Sequence, residues 1–301
     1  MPNPAPLSGC IPILCTPFHE DGSLDLPGLA REIEYVLGEG ASGVAALAIA
    51  SEGYKLTEAE RDAVAEAVVA TVAGRVPVVI SADGAGTEPA LDRARRAVAC
   101  GADALMVLPP SFVKPGAPDL ADYYTAIATA VDVPLIVQDA PQLTGVAMTP
   151  ALWADLAERT STLRYVKVEG TPQGEVISAA VAAGGGRLAV FCGWGGLSIL
   201  DALERGAAGS MPAPNFTRLF AEVQDRYARG DHDVAAAFFA AELPFLLWTM
   251  QSVDHSVAAA KEEFRRRGIF ASAHQRRPAA RLDAIARGQL ARFLDRRLRT
   301  P

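Results

Sequence analysis

An α/β fold, a (β/α)8 (TIM) barrel carrying a C-terminal helical extension, is predicted by three features of this 301-residue sequence. Eight short apolar runs recur between residue 10 and about residue 215, each followed by a turn and a helical stretch rich in Ala, Leu and charges. That alternation builds a parallel sheet, and eight units suit a closed barrel. The first strand-to-helix turn, TPFHEDGSLD, lacks the glycine fingerprint of a dinucleotide-binding open sheet. After residue 215 the β pattern stops. The expected organisation is a barrel over 1–215, with helices over 216–301 packed on it as a single structural unit.

In order, the strand-like runs are CIPILCTPF (10–18), GVAALAIA (43–50), VPVVISAD (76–83), DALMVLPP (103–110), VPLIVQDAP (133–141), RYVKVEG (164–170), LAVFCGW (188–194) and GSMPAP (209–214). Their continuous apolar character suits strands covered on both faces. Between them, LPGLAREIEYVLGEG, TEAERDAVAEAVVATVAG and LWADLAERTS read as helices. Thr57 followed by Glu60 forms a capping box at the start of the second. Beyond 215, FTRLFAEVQDRYARG, DVAAAFFAAELPFLLWTMQS, VAAAKEEFRRRG and PAARLDAIARGQLARFLDRRL are all helical in pattern, and DHD at 231–233 marks a helix start.

Composition narrows the function. Half of the residues are hydrophobic and 21% are charged, enough to build a sizeable core. A net charge of −7 without a basic patch in the first two hundred residues argues against a nucleic-acid partner. The arginines crowded near the end read as a solvated helix face or a subunit contact. Cys10, Cys15, Cys100 and Cys192 show no CxxC spacing and read as reduced, packed thiols. No apolar run approaches the ~20 residues of a membrane span, and MPNPAPLSG lacks signal-peptide character. A cytoplasmic protein without a membrane partner is expected. The four histidines lie far apart, without zinc-site spacing, and no P-loop or flavin motif occurs, so neither metal nor cofactor is expected.

RYVKVEG places an ammonium and a carboxylate in an otherwise apolar strand. Side chains two apart share a strand face, their Cα atoms about 7 Å apart. Lys167 and Glu169 therefore point into the barrel near its C-terminal end, where barrel enzymes keep their active sites, while Val166 and Val168 face the helices. Of the four lysines, Lys55 and Lys114 sit in loop-like sequence and Lys261 in a polar helix, so Lys167 alone is embedded in a strand. Burial favours the neutral amine, which can condense with a ketone to a Schiff base. The residues alone leave an internal structural salt bridge equally open.

TPFHEDGSLDLPGLAREIEYVLGEGASGV, SEGYKLTEAER, GADALMVLPPSFVKP, VPLIVQDAPQLTG, YVKVE and GAAGSMP occur in this order. Together they resemble the dihydrodipicolinate synthase / N-acetylneuraminate lyase family of class I aldolases, over about residues 9–300. The resemblance implies that Lys167 forms the Schiff base with a 2-oxo acid. It implies carboxylate binding by backbone N–H groups of the turn after the second strand, here Ile49 and Ala50, with Ser51 adding a hydroxyl. It implies a pocket position for Met211 and a homo-oligomer, tetramer or dimer, that needs no cofactor. Gly193, Gly195 and Gly196 would let backbone approach a ligand, or simply serve a tight turn.

Several family signatures are altered. The strand-two turn G-T-T-G-E reads Ala48-Ile49-Ala50-Ser51-Glu52; the strand-five tyrosine is replaced by Gln138, before Asp139. Ser111 and Phe112 stand at the paired tyrosines, and Leu143 at the synthase's arginine. An amide donates and accepts hydrogen bonds but cannot shuttle a proton as a phenol does. True dihydrodipicolinate synthesis is therefore not expected. The expected function is a Schiff-base lyase acting on a pyruvate-type or sugar-derived 2-oxo-3-deoxy acid, as dehydratase or aldolase. Lys167 would be the nucleophile, Glu169 an acid/base or counter-ion, and Gln138 would position substrate or water. A non-catalytic 2-oxo-acid-binding paralogue and a phosphosugar aldolase using the Gly193 turn are the alternatives.

Overall fold

The computed structural model describes residues 6–299. Eight strands form one curled parallel sheet: β1 (Gly9–Cys10), β2 (Val44–Ala46), β3 (Val78–Ser81), β4 (Ala104–Val107), β5 (Leu135–Asp139), β6 (Leu163–Val168), β7 (Ala189–Cys192) and β8 (Gly209–Ser210), in the order β1-β8-β7-β6-β5-β4-β3-β2. Beyond β1 the chain also reaches β2. Ile13 bridges Ala45 in parallel, Leu14 N–H donates to Ala45 O at 2.7 Å, and Ala45 N–H donates to Pro12 O at 2.9 Å.

Helices α1 (Leu26–Gly38), α2 (Glu58–Val72), α3 (Thr87–Ala99), α4 (Ala117–Thr129), α5 (Pro141–Thr144), α6 (Pro150–Arg159), α7 (Gln173–Gly184) and α8 (Ile199–Glu204) lie in the connections between strands. Four more, α9 (Thr217–Ala228), α10 (His232–Thr249), α11 (Val253–Arg266) and α12 (Ala284–Arg299), make the extension. Among the described residues no single helix is long and apolar enough to cross a membrane.

The first and last strands are shorter than the apolar runs predict. Pro12 and Pro17 interrupt the first run, and Pro212 and Pro214 the last; each lacks the N–H that a ladder needs. The capping box forms as expected: Thr57 N–H donates to Glu60 Oε2 at 2.9 Å, and Glu60 N–H to Thr57 Oγ1 at 3.3 Å.

Two apolar layers follow from strand alternation. Ile11, Ile13, Val79, Met106, Ile136, Tyr165, Phe191 and Met211 fill the inside of the sheet. Val44, Ile80, Leu105, Val137, Val166, Val168 and Val190 pack outward against the helices. The extension adds its own aromatic core, in which Phe245 stacks on Phe293 with ring centroids 5.0 Å apart.

Candidate active site

Tyr165 belongs to the inner layer, so Lys167, two residues on, points the same way, between Gln138 of β5 and Phe191 of β7 in the register. Glu169 follows, anchored by its N–H on Asp139 O at 2.8 Å. Lys167 Nζ lies 2.9 Å from Glu169 Oε1. Gln138 Nε2 donates to that same oxygen at 2.7 Å. All three are buried, and they line a cavity of about 80 Å3.

The opposite wall comes from the turn after β2. Leu47 and Glu52 adopt left-handed φ values of 62° and 57°. Ser51 and Gly53 N–H both donate to Ala48 O, and Glu52 N–H donates to Ile49 O. This wrapping leaves the N–H groups of Ile49 and Ala50 without an acceptor among the described residues, and both residues line the cavity. Two adjacent unpartnered N–H groups form a natural anion-binding concavity.

Of the residues singled out from sequence, Lys167, Glu169, Gln138, Ile49, Ala50, Gly195 and Met211 border this one cavity; Ser51, Gly193 and Gly196 do not. The Ser51 hydroxyl donates to Leu14 O at 2.6 Å, and its carbonyl accepts from Thr16 at 2.6 Å, so it braces the turn from behind. Gly193 sits behind Glu169, where a Cβ would come within 2.4 Å of Glu169 Cγ. The Met211 N–H is bonded to Cys192 O, and the residue lies in the inner apolar layer.

Sequence reasoning reached Gly195 on the far wall but missed the rest of it. Trp194 and Gly195 follow β7 in left-handed conformations, and a Cβ on Gly195 would collide with Met250 Sδ at 2.3 Å. Met250, Ser252, Val253 and Ser256 then bring the α10–α11 junction to the cavity. No spacing signal links these residues to Lys167, because the extension folds back from more than 80 positions away. None of the six tyrosines borders the cavity. Tyr165, deeper inside the curled sheet, accepts from Leu7 N–H at 2.9 Å through its hydroxyl.

Lys167 is the one lysine that lies in a strand among the described residues, but it is not the only one that is buried. Lys261 of α11 is fully buried, and its ammonium contacts the Glu52 carboxylate and donates to His274 O at 2.9 Å. The Lys55 amine, also enclosed, bonds Glu52 Oε2 at 2.9 Å, as does Arg276 N–H at 3.0 Å. Burial lowers the Lys261 pKa, against the raising effect of Glu52. The nearby Glu32 carboxyl is pushed well above its ordinary range, chiefly by burial. A helical pattern made Lys261 look solvated; Glu52, two positions past Ala50, draws it inside.

Asp139 points out of the inner layer beside Gly170, and Oδ1 has no partner among the described residues. Burial pushes its pKa up to about 7; a bond from Met148 N–H lowers it, and the charge of Glu169 raises it further.

Comparison with known proteins identifies the family. The family model described as the dihydrodipicolinate synthetase family matches residues 6–297. L-2-keto-3-deoxyarabonate dehydratase of Azospirillum brasilense is 30% identical over 297 residues, covering 95% of this chain and 94% of that one. The Escherichia coli K12 protein named "probable 2-dehydro-3-deoxy-D-pentonate aldolase YjhH" is 30% identical over 263 residues, 82% of this chain and 87% of its own. Among solved structures, YagE of Escherichia coli K12, a family member in complex with pyruvate, superposes with a TM-score of 0.88 at 26% identity, covering 97% of this chain and 99% of that one. The chain is a lyase and belongs to the dihydrodipicolinate synthetase family.

Proposed function

We propose that this protein is a class I lyase that forms a Schiff base between Lys167 and a sugar-derived 2-oxo-3-deoxy acid, and that its reaction is dehydration. The observation that carries the reading is the convergence of Lys167, Glu169 and Gln138 on one enclosed cavity, 2.9 Å and 2.7 Å apart through Glu169 Oε1, facing the free N–H groups of Ile49 and Ala50.

The substrate carboxylate binds the Ile49 and Ala50 N–H groups, which sets C2 against the amine. Lys167 Nζ adds to C2, and loss of water gives a protonated imine, an electron sink. Glu169 takes a proton from C3 to give the enamine. The enamine electrons then expel the C4 hydroxyl, which leaves as water with that proton, and hydrolysis of the conjugated imine frees Lys167. Overall one water is lost. Cleavage between C3 and C4 needs a base on the C4 hydroxyl instead. Gln138 cannot serve, and no tyrosine borders the cavity. The dehydratase relative supports this order of preference, and the aldolase relative keeps carbon–carbon cleavage as the second reading.

Leu143 and the absence of arginine from the cavity wall speak against synthesis of dihydrodipicolinate. In this reading the sheet is a closed barrel with its seam at Ile13–Ala45, and the chain works as a homo-oligomer. Tyr54, Phe112 and Val113 expose apolar surface on loops after β2 and β4, as subunit contacts do.

The test is borohydride reduction in the presence of pyruvate and a panel of 2-oxo-3-deoxy sugar acids, with mass analysis of Lys167, alongside turnover assays that read pyruvate release and semialdehyde formation separately. Adduct and semialdehyde support the dehydratase; adduct and pyruvate move the assignment to the aldolase. No adduct with any 2-oxo acid refutes the Schiff-base reading.

A further inference from the structure

Gln138 is 1% exposed, and only one end of its amide has a partner among the described residues. The orientation is set by chemistry. An ionised Glu169 only accepts, so the amide must present Nε2 to it; turned over, it would set two acceptor oxygens against each other. Oε1 is thereby left facing away from Glu169, and it accepts no hydrogen bond. Enclosing an amide oxygen without a donor costs free energy that a leucine or methionine there would avoid. Such groups point to a donor that arrives with a ligand.

The rest of the wall narrows what that donor is. Ile13, Leu143, Trp194, Met250 and Val253 are apolar. The Ser252 hydroxyl already meets His255, at 3.1 Å from its N–H and 2.8 Å from Nδ1. Gln138 and Lys167 are register partners on β5 and β6. Gln138 is thus within reach of the carbons beyond C2 of a 2-oxo acid joined to Lys167. A C3 methylene has nothing to donate, whereas a hydroxyl on C4 does.

We infer that Gln138 is a specificity-determining residue whose Oε1 accepts a hydrogen bond from a hydroxyl on C4 of the substrate, so that the site selects 4-hydroxy-2-oxo acids over unhydroxylated acids of the same length. This rests on the Schiff-base reading of Lys167. A site built to bond a hydroxyl rejects the analogue that lacks it more strongly than an apolar pocket rejects a change of size.

The experiment measures half-saturating concentrations for borohydride trapping of 2-oxo-4-hydroxypentanoate, 2-oxopentanoate and pyruvate, summing every adduct mass at Lys167. The wild type is expected to favour the hydroxylated acid over 2-oxopentanoate by about 10- to 100-fold. Gln138→Met should bring these two within about 2-fold, chiefly by tightening 2-oxopentanoate, and leave pyruvate within about 3-fold of wild type. A wild type that does not discriminate overturns the inference, as does discrimination that survives Gln138→Met. So does discrimination that vanishes instead in Ser256→Ala, whose hydroxyl also lines the cavity without a partner among the described residues. If Gln138→Met weakens all three ligands alike, the residue is merely structural and the inference fails. Gln138→Leu takes the place of the Met variant if far-UV circular dichroism shows that the latter does not fold. A wild type that traps no 2-oxo acid refutes the Schiff-base reading itself, an outcome separate from loss of selectivity alone.

Discussion

Glu169 Oε1 receives both the Lys167 ammonium and the Gln138 amide, so one oxygen organises the three residues. Its proposed chemical role is separable from the pairing. Glu169→Gln keeps a hydrogen-bonding side chain beside Lys167 but removes the base. Pyruvate should still be trapped at Lys167, while exchange of its methyl protons in D2O, followed by proton NMR, should slow by about 10²- to 10⁴-fold. Equal exchange rates in variant and wild type would reduce Glu169 to a counter-ion. Lys167→Arg keeps a cation opposite Glu169 and should abolish the adduct without unfolding the chain, whereas Lys167→Ala strands a buried carboxylate and should cost about 3–5 kcal/mol of stability. Next to this group, Asp139 carries a pH signature. Its pKa is raised, mainly by burial, to about 7 from an unfolded value near 3.8. The folded state therefore holds a proton that the unfolded state releases, and stability falls as pH rises from about 4 to about 7. At 1.36 kcal/mol per unit the contribution is on the order of 4 kcal/mol. Urea titrations across that range should show the decline, and Asp139→Asn should flatten it and be the more stable form above pH 7.

The elements that shape the site were unevenly legible in the sequence. β6 announced itself, because two charges at a period of two among valines can only face inward together, and Gln138 followed from its parity with Ile136. The turn after β2 brings Ile49 and Ala50 to the cavity and turns Ser51 away from it, and nothing local in the sequence says that the Ser51 hydroxyl reaches Leu14. α11 was opaque. Its first turn supplies Val253 and Ser256 to the cavity, and two turns later Lys261 grips Glu52, just behind the turn that carries Ile49 and Ala50. Such contacts join positions some 209 residues apart, and helical periodicity carries no information about them. The geometry makes α11 a clamp on the turn proposed to bind the substrate carboxylate. Lys261→Met leaves Glu52 with Lys55 and the Arg276 N–H as its remaining partners. Loss of one member of a buried ion pair should lower stability by about 3–5 kcal/mol. If the clamp also sets the turn, the half-saturating pyruvate concentration should rise while the limiting trapping rate holds; an unchanged concentration dependence would leave Lys261 a purely structural tie.

At the scale of the whole molecule, the eightfold alternation was readable because each strand–helix unit is local, whereas the docking of the extension is a matter of packing that no motif encodes. Two kinds of contact tie it to the rest of the chain, and an apolar core holds it together. Lys261 meets Glu52 inside, and Arg276 bonds Glu60, at 2.5 Å, along with Gly22 O. Asn215, just after β8, donates to Glu263 of α11 at 3.0 Å, and the Asn215 carbonyl accepts from Arg297 of α12 at 2.7 Å. The aromatic core between α10 and α12 is apolar, with Leu290 and Leu294 buried beneath it. If these contacts make barrel and extension one cooperative unit, damage at the far end of the chain must reach the cavity. Leu294→Ala removes a fully buried side chain and should cost about 2–5 kcal/mol. The urea midpoint by far-UV circular dichroism should drop accordingly, and Schiff-base trapping at Lys167 should disappear over the same urea interval. Independent units would behave otherwise: the helical signal would be lost in two steps, and trapping would persist through the first. α12 lies far from the reacting carbon, yet Lys167 chemistry should fail with it, because the wall formed by Met250 and Ser256 and the grip on Glu52 belong to the helices that α12 holds in place.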